Sequence, residues 1–157
     1  MNGKDYRIGL LKSYGYLSGY IDQADFNIYN KALGTHNFGN NVKEDTSLQV
    51  ESIIKLINQK NQLLNIYNVL TRALNNLNTD MRKLIVLRYV KKLDIQKVMQ
   101  KLSITKGVYY GLLHKALDEV GNFFKRENID EIWFFKNYSS KVWFRKLIDF
   151  ASEGGSF

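Results

Sequence analysis

Between Met81 and Lys115, nine side chains are Lys or Arg (Arg82, Lys83, Arg88, Lys91, Lys92, Lys97, Lys101, Lys106, Lys115) and one, Asp94, is acidic. This window nets +8, while the remaining residues, with fourteen basic and fourteen acidic side chains, net zero. Charge that only keeps a chain in solution is spread along it. Charge focused on one short segment suits a polyanion, of which nucleic acid is the commonest. The chemistry available here is ionic and hydrogen-bonding. Lysines and arginines neutralise phosphates and fix register, while side chains at the start of a helix meet base edges. No paired carboxylates, phosphate-binding glycine loop or nucleophile–base set stands out, so neither an enzyme nor a cofactor is expected. His36 and His114 stand apart and there is no Cys, which leaves no metal site and no disulfide scaffold.

These residues fall on a short helix, a tight turn and a longer helix over 94–120, the pattern of a helix-turn-helix. Asp94 starts the first helix, whose inner face is Ile95, Val98 and Leu102. Ile104 fills the turn and Thr105 caps the second helix. Tyr109, Leu112, Ala116, Leu117 and Val120 form the inner face of that helix. Its outer face presents Thr105, Lys106, Gly107, Tyr110, Gly111, His114 and Lys115, the candidates for contact with bases in the major groove. Arg88, Lys91, Lys92, Lys97 and Lys101 are the candidates for phosphate. Arg88 is equally placed to pair with a carboxylate, and Asp118 lies four residues beyond His114, within reach of a helix-face hydrogen bond. Gly107 and Gly111 weaken the second helix by about 2 kcal/mol together relative to Ala.

The rest of the chain must hold this unit. With 157 residues, 21 aromatics and no Pro, the chain can build one core from long helices. An N-terminal helix is expected over 6–33, with Leu10, Tyr14, Leu17 and Ile21 as its stripe. A polar linker spans 34–46. A long helix over 47–76 begins at a Thr46–Gln49 capping box and carries a seam of Val50, Ile53, Ile57, Leu64, Tyr67 and Leu74. That seam closes on the N-terminal helix or on a second copy of the chain, with the intramolecular core preferred. Thr79 is expected to cap the next short helix, and Lys91–Lys92 to break it. From 125 the chain turns aromatic, in two segments around Asn137–Ser140, ahead of a frayed SEGGSF tail. This segment is expected to pack on the long helix as core; an interface with a second copy or with RNA polymerase comes next, and a membrane surface last. The expected fold is all-α, divided as 1–34, 35–46, 47–124 and 125–157. No apolar run nears the roughly 20 residues that span a bilayer, and no cleavable leader stands at the start, so a cytoplasmic protein without membrane contact is expected.

The stretch LIVLRYVKKLDIQKVMQKLSITKGVYYGLLHKALDEV is similar to the fourth region of bacterial sigma factors. Arg88-Tyr89, Thr105 and Lys115-Ala116-Leu117 carry the match. The chain more closely resembles the ArpU/RinA-type regulators of phage late genes, which place this unit after an N-terminal helical segment, a polar linker and a long helix. Their recognition helix often reads Ser-Lys-x-Thr-Tyr-Tyr-Arg, and here Thr105 to Gly111 reads TKGVYYG. The resemblance covers roughly residues 10–124, with specific residues from about 84 to 117. Gly111 stands where that family usually has Arg, and the aromatic segment after 125 is not part of its pattern.

What the resemblance and the charge together imply is a sequence-specific, double-stranded-DNA-binding transcription regulator of phage or prophage late genes. RNA polymerase and a second copy of the chain are its further candidate partners. The alternatives are a protein-interaction module for polymerase or a host regulator, and a DNA-packaging recognition subunit.

Overall fold

The computed structural model describes residues 5–37 and 46–154. Of the linker expected over 34–46, residues 34–37 are helical and 38–45 lie outside this description, as do the tail from 155 to 157 and the side chain of Thr46, the expected capping residue. The protein is all-α. Seven α-helices and no strand occur among the described residues: α1 (Tyr6–Asn37), α2 (Thr46–Asn76), α3 (Thr79–Ile85), α4 (Ile95–Leu102), α5 (Lys106–Arg126), α6 (Glu131–Ser140) and α7 (Val142–Ser152). A chain without proline keeps every backbone donor, and α1 and α2 accordingly run uninterrupted for 32 and 31 residues. No described helix is long and apolar enough to cross a membrane.

Short polar side chains set the starts of the shorter helices. Asn78, not Thr79, caps α3: its Oδ1 accepts from the Met81 N–H at 2.9 Å. Asn is the better capping residue, and its backbone is already extended there. Asp130 caps α6 in the same way, accepting from the Trp133 N–H at 2.8 Å. Extended backbone at Lys141 separates α6 from α7.

Two compact units form, Met1–Tyr16 with Val69–Phe157, and Leu17–Asn68. The first, the main unit, buries Leu10, Leu11, Leu70, Leu84, Ile85, Val98 and Val120. Its aromatic segment is core. Tyr6 meets Phe124 and Phe134 at ring distances of 6.5 and 6.0 Å, Phe134 meets Phe144 edge-on at 5.4 Å, and Tyr16 meets Phe150 at 5.0 Å. These rings therefore join the first turns of α1 to α5, α6 and α7, where the sequence suggested packing on the long helix. Arg82 closes the end of α2, donating to the carbonyls of Leu74, Asn75 and Leu77, each at 3.0 Å.

In the two-helix unit, Leu17, Ala24, Leu63 and Ile66 are buried, and Lys60 pairs with Asp25 at 2.5 Å. Of the seam expected along α2, Leu74 is buried and Ile53, Leu64 and Tyr67 are half-buried, but its start is not core. Val50 and Ile57 are exposed, and burial begins at Leu63. Six residues separate Ile57 from Leu63, which turns the face by about a third of a turn. The regular spacing from Val50 onward thus joined two different faces of one helix.

Candidate nucleic-acid interface

The helix-turn-helix is built from local hydrogen bonds. Asp94 Oδ1 accepts from the Lys97 N–H at 2.8 Å and starts α4. Ser103 ends it in the left-handed conformation (φ 54°, ψ 48°), and the Ile104 N–H closes on the Met99 carbonyl at 3.1 Å, a Schellman-type stop. Thr105 Oγ1 accepts from the Val108 N–H at 3.4 Å, and α5 begins. Val98 from α4 and Tyr109, Leu113, Ala116 and Leu117 from α5 are buried, so the pair is fixed by side chains on both helices. Leu112, expected inward, is half-buried, and Leu113 takes the buried place.

α5 projects its candidate residues unevenly. At about 100° per residue, Gly107, Val108, Gly111 and Lys115 lie along one outward arc, with His114 beside it. Lys106 and Tyr110 head a different stripe, whose later members Leu113 and Leu117 are buried. Tyr110 is 38% exposed and leans edge-on against Tyr109 at 5.1 Å. Thr105, Lys106, Gly107, Gly111, His114 and Lys115 are all exposed. Val108, which the sequence reading passed over, is 53% exposed in the first turn of the helix. Its place one residue after Gly107 and three before Gly111 was the available signal. A Cβ added at Gly107 or at Gly111 meets nothing within 4 Å, so this face is low and open around Val108.

The nine cations divide into two groups. Three are engaged within the fold. Arg82 caps α2, as described above. Arg88 donates to the Leu93 carbonyl at 3.2 Å and lies 5.7 Å from the Tyr89 ring centre, with no carboxylate partner among the described residues. Lys92 has its Nζ 2.8 Å from the Tyr16 hydroxyl and 2.6 Å from the Ala151 carbonyl, and 4.4 Å from the centre of the Tyr16 ring. Burial pushes the Tyr89 phenol up to about 12, with a smaller push from Tyr109. Burial also raises the Tyr109 phenol, against the charge and hydrogen bond of Arg88. Arg88 and Lys92, read from sequence as phosphate contacts, thus serve as structural ties. The other six, Lys83, Lys91, Lys97, Lys101, Lys106 and Lys115, are exposed, and Lys97 and Lys101 share one face of α4.

Two further features set the frame. α3 runs on into a π-helical turn, Val86–Val90, closed by the Lys91 N–H on the Val86 carbonyl at 2.8 Å. At the far side of α5, Asp118 takes a hydrogen bond from Arg7 at 3.3 Å, in place of the one expected with His114. Arg7 also donates to the Leu117 carbonyl at 3.1 Å and to both oxygens of Asp5. Burial alone pushes the Asp5 carboxyl up; the hydrogen bonds and charge of Arg7 outweigh it and hold the carboxyl below its ordinary value. Gly121 makes room for this clamp, since a Cβ there would stand 2.9 Å from Arg7 Cδ.

The model of a family described as a protein of unknown function, DUF1492, matches residues 39–121, slightly more than half of the chain. The matched stretch takes in α2 and the helix-turn-helix as far as Gly121, and leaves out α1, α6 and α7. No curated protein and no solved structure matches the chain.

Proposed function

We propose that this chain, which belongs to the DUF1492 family, is a sequence-specific DNA-binding transcription regulator that docks α5 in the major groove. One observation carries the reading: the outward arc of α5, following a capped α4 and a tight turn, in a window that keeps six exposed lysines. Between Asp94, whose carboxylate is engaged as a cap, and Asp118 there is no acid to repel a phosphate. The lysines of α4 supply backbone neutralisation, and the arc of α5 supplies contact with bases. In this reading the protein works in the cytoplasm on phage or prophage late genes, as the resemblance to the ArpU/RinA-type regulators implies. RNA polymerase is the second partner.

The test is selection of bound duplexes from a randomised DNA library, followed by titration of the winner and of scrambled DNA. The expected outcome is one enriched site, bound more tightly than scrambled duplex and weakened by Val108→Ala or Lys115→Ala. Equal affinity for all sequences, unchanged by either substitution, would overturn the assignment of α5. A gain-of-function arm uses Gly111→Arg. It restores the residue usual in the resembled family on a face with open space, and is expected to tighten binding.

A second reading rests on the exposed Ile132, Phe135 and Val142 of α6 and α7. Apolar side chains of this kind suit contact with a protein such as polymerase. It predicts capture of purified polymerase that is insensitive to Val108→Ala and lost with Ile132→Asp.

A further inference from the structure

α5 opens with a valine held out to solvent. Val108 is 53% exposed, and its backbone is fixed by the helix cap, the N–H donating to Thr105 Oγ1 at 3.4 Å. Over the first two turns, the outward arc carries Gly107, Val108 and Gly111, so Val108 is the one side chain standing on it there. Nothing lies within 4 Å of a Cβ placed at either glycine, and the space beside the valine is open. A valine in a helix keeps almost wholly to one rotamer, so its two methyls are presented with little side-chain freedom left to lose on contact.

The chemistry of this surface selects among base pairs. The Val108 side chain neither donates nor accepts a hydrogen bond. In the major groove, guanine shows two acceptors, cytosine an amino donor and adenine one of each. Pressed against valine methyls, each of these loses its water and gains no partner. Thymine carries the one apolar group on that edge, its C5 methyl. Arg, Asn and Gln, which read guanine or adenine through paired hydrogen bonds, do not occur over 105–121. Lys115 shares the arc, but it stands seven residues on, about 10 Å along the axis, far enough to meet a different base pair.

We propose that Val108 reads thymine: its methyls pack on the C5 methyl of a thymine in the target site, and α5 selects a T·A pair there by apolar contact. This rests on the reading of α5 as the helix in the major groove. The determinant is the methyl and not the pairing face, so 5-methylcytosine at the same place offers the same contact.

The test takes the duplex selected from the randomised library and replaces each thymine in turn by deoxyuridine, which lacks only the methyl. At one or two thymines, binding is expected to weaken by about fourfold, the contribution of one buried methyl. At those places Val108→Ala should bind the thymine and deoxyuridine duplexes equally. A cytosine placed there should weaken binding of the parent protein, and 5-methylcytosine should recover about fourfold of that loss. The DNA changes leave the protein untouched, and circular dichroism checks that Val108→Ala keeps its helices. An enriched site at which no thymine responds to deoxyuridine overturns the thymine contact while leaving the major-groove reading in place. So does a response that persists undiminished in Val108→Ala, or equal binding of the cytosine and 5-methylcytosine duplexes. The same affinity for all sequences overturns both.

Discussion

Gly107 and Gly111 hold helical conformation in α5 with open space where a Cβ would go. Nothing in the fold requires glycine at either position. Gly107→Ala and Gly111→Ala are each expected to raise stability by about 1 kcal/mol, read from urea unfolding. If DNA affinity falls in the same variants, the low face around Val108 is what the groove needs. The Asp5–Arg7 clamp makes a pH prediction. Because Arg7 holds the Asp5 carboxyl below its unfolded value, the pair stabilises the fold fully above about pH 4. That contribution is lost as pH falls further, through the folded-state value. Asp5→Asn should therefore be less stable than the parent at neutral pH, with the gap closing toward strong acid in melts across a pH series.

The elements divide the cations by role. Lys97 and Lys101 on α4 are exposed, whereas Lys92 between α3 and α4 ties Tyr16 to the end of α7. Replacing Lys97 or Lys101 by Ala should leave the melting temperature in place and reduce the salt dependence of DNA binding by about one ion each. Much of this frame was legible in the chain. Asp94 and Thr105 announced the starts of α4 and α5, and the absence of Pro announced the long helices. The π-helical turn over Val86–Val90 left no mark in residue types. The commitment of Arg88 and Lys92 was equally hidden. Their acceptors are backbone carbonyls, at Leu93 and Ala151, which look the same in every sequence. The misplaced α2 seam had the opposite cause. Val50 and Ile57 look like core by spacing, and only a three-dimensional packing partner decides whether an apolar stripe is covered.

For the molecule as a whole, the formal charge overstates what DNA can use. Arg82, Arg88 and Lys92 are held by carbonyl oxygens of the fold, leaving six exposed lysines in the basic window. If all six meet phosphates, the logarithm of the binding constant falls with the logarithm of salt at a slope of about −5 per chain. A measured slope clearly steeper than that would bring in cations from outside the window. Cation-bearing and apolar surfaces also belong to different units: the window lies within the main unit, and the richest exposed apolar surface lies in the other.

Lys92 also occupies a left-handed backbone corner, at φ 58°. Local preference and tertiary demand conflict there: the backbone favours glycine, and the ties to Tyr16 and Ala151 require an amine. Such frustration persists only where the long-range contact outweighs a local cost of about 1–2 kcal/mol. Lys92→Met keeps the corner strained and loses the ties, whereas Lys92→Gly loses the ties and relaxes the corner. The glycine variant should be the more stable of the two by about 1 kcal/mol, and that difference measures the strain the native lysine carries.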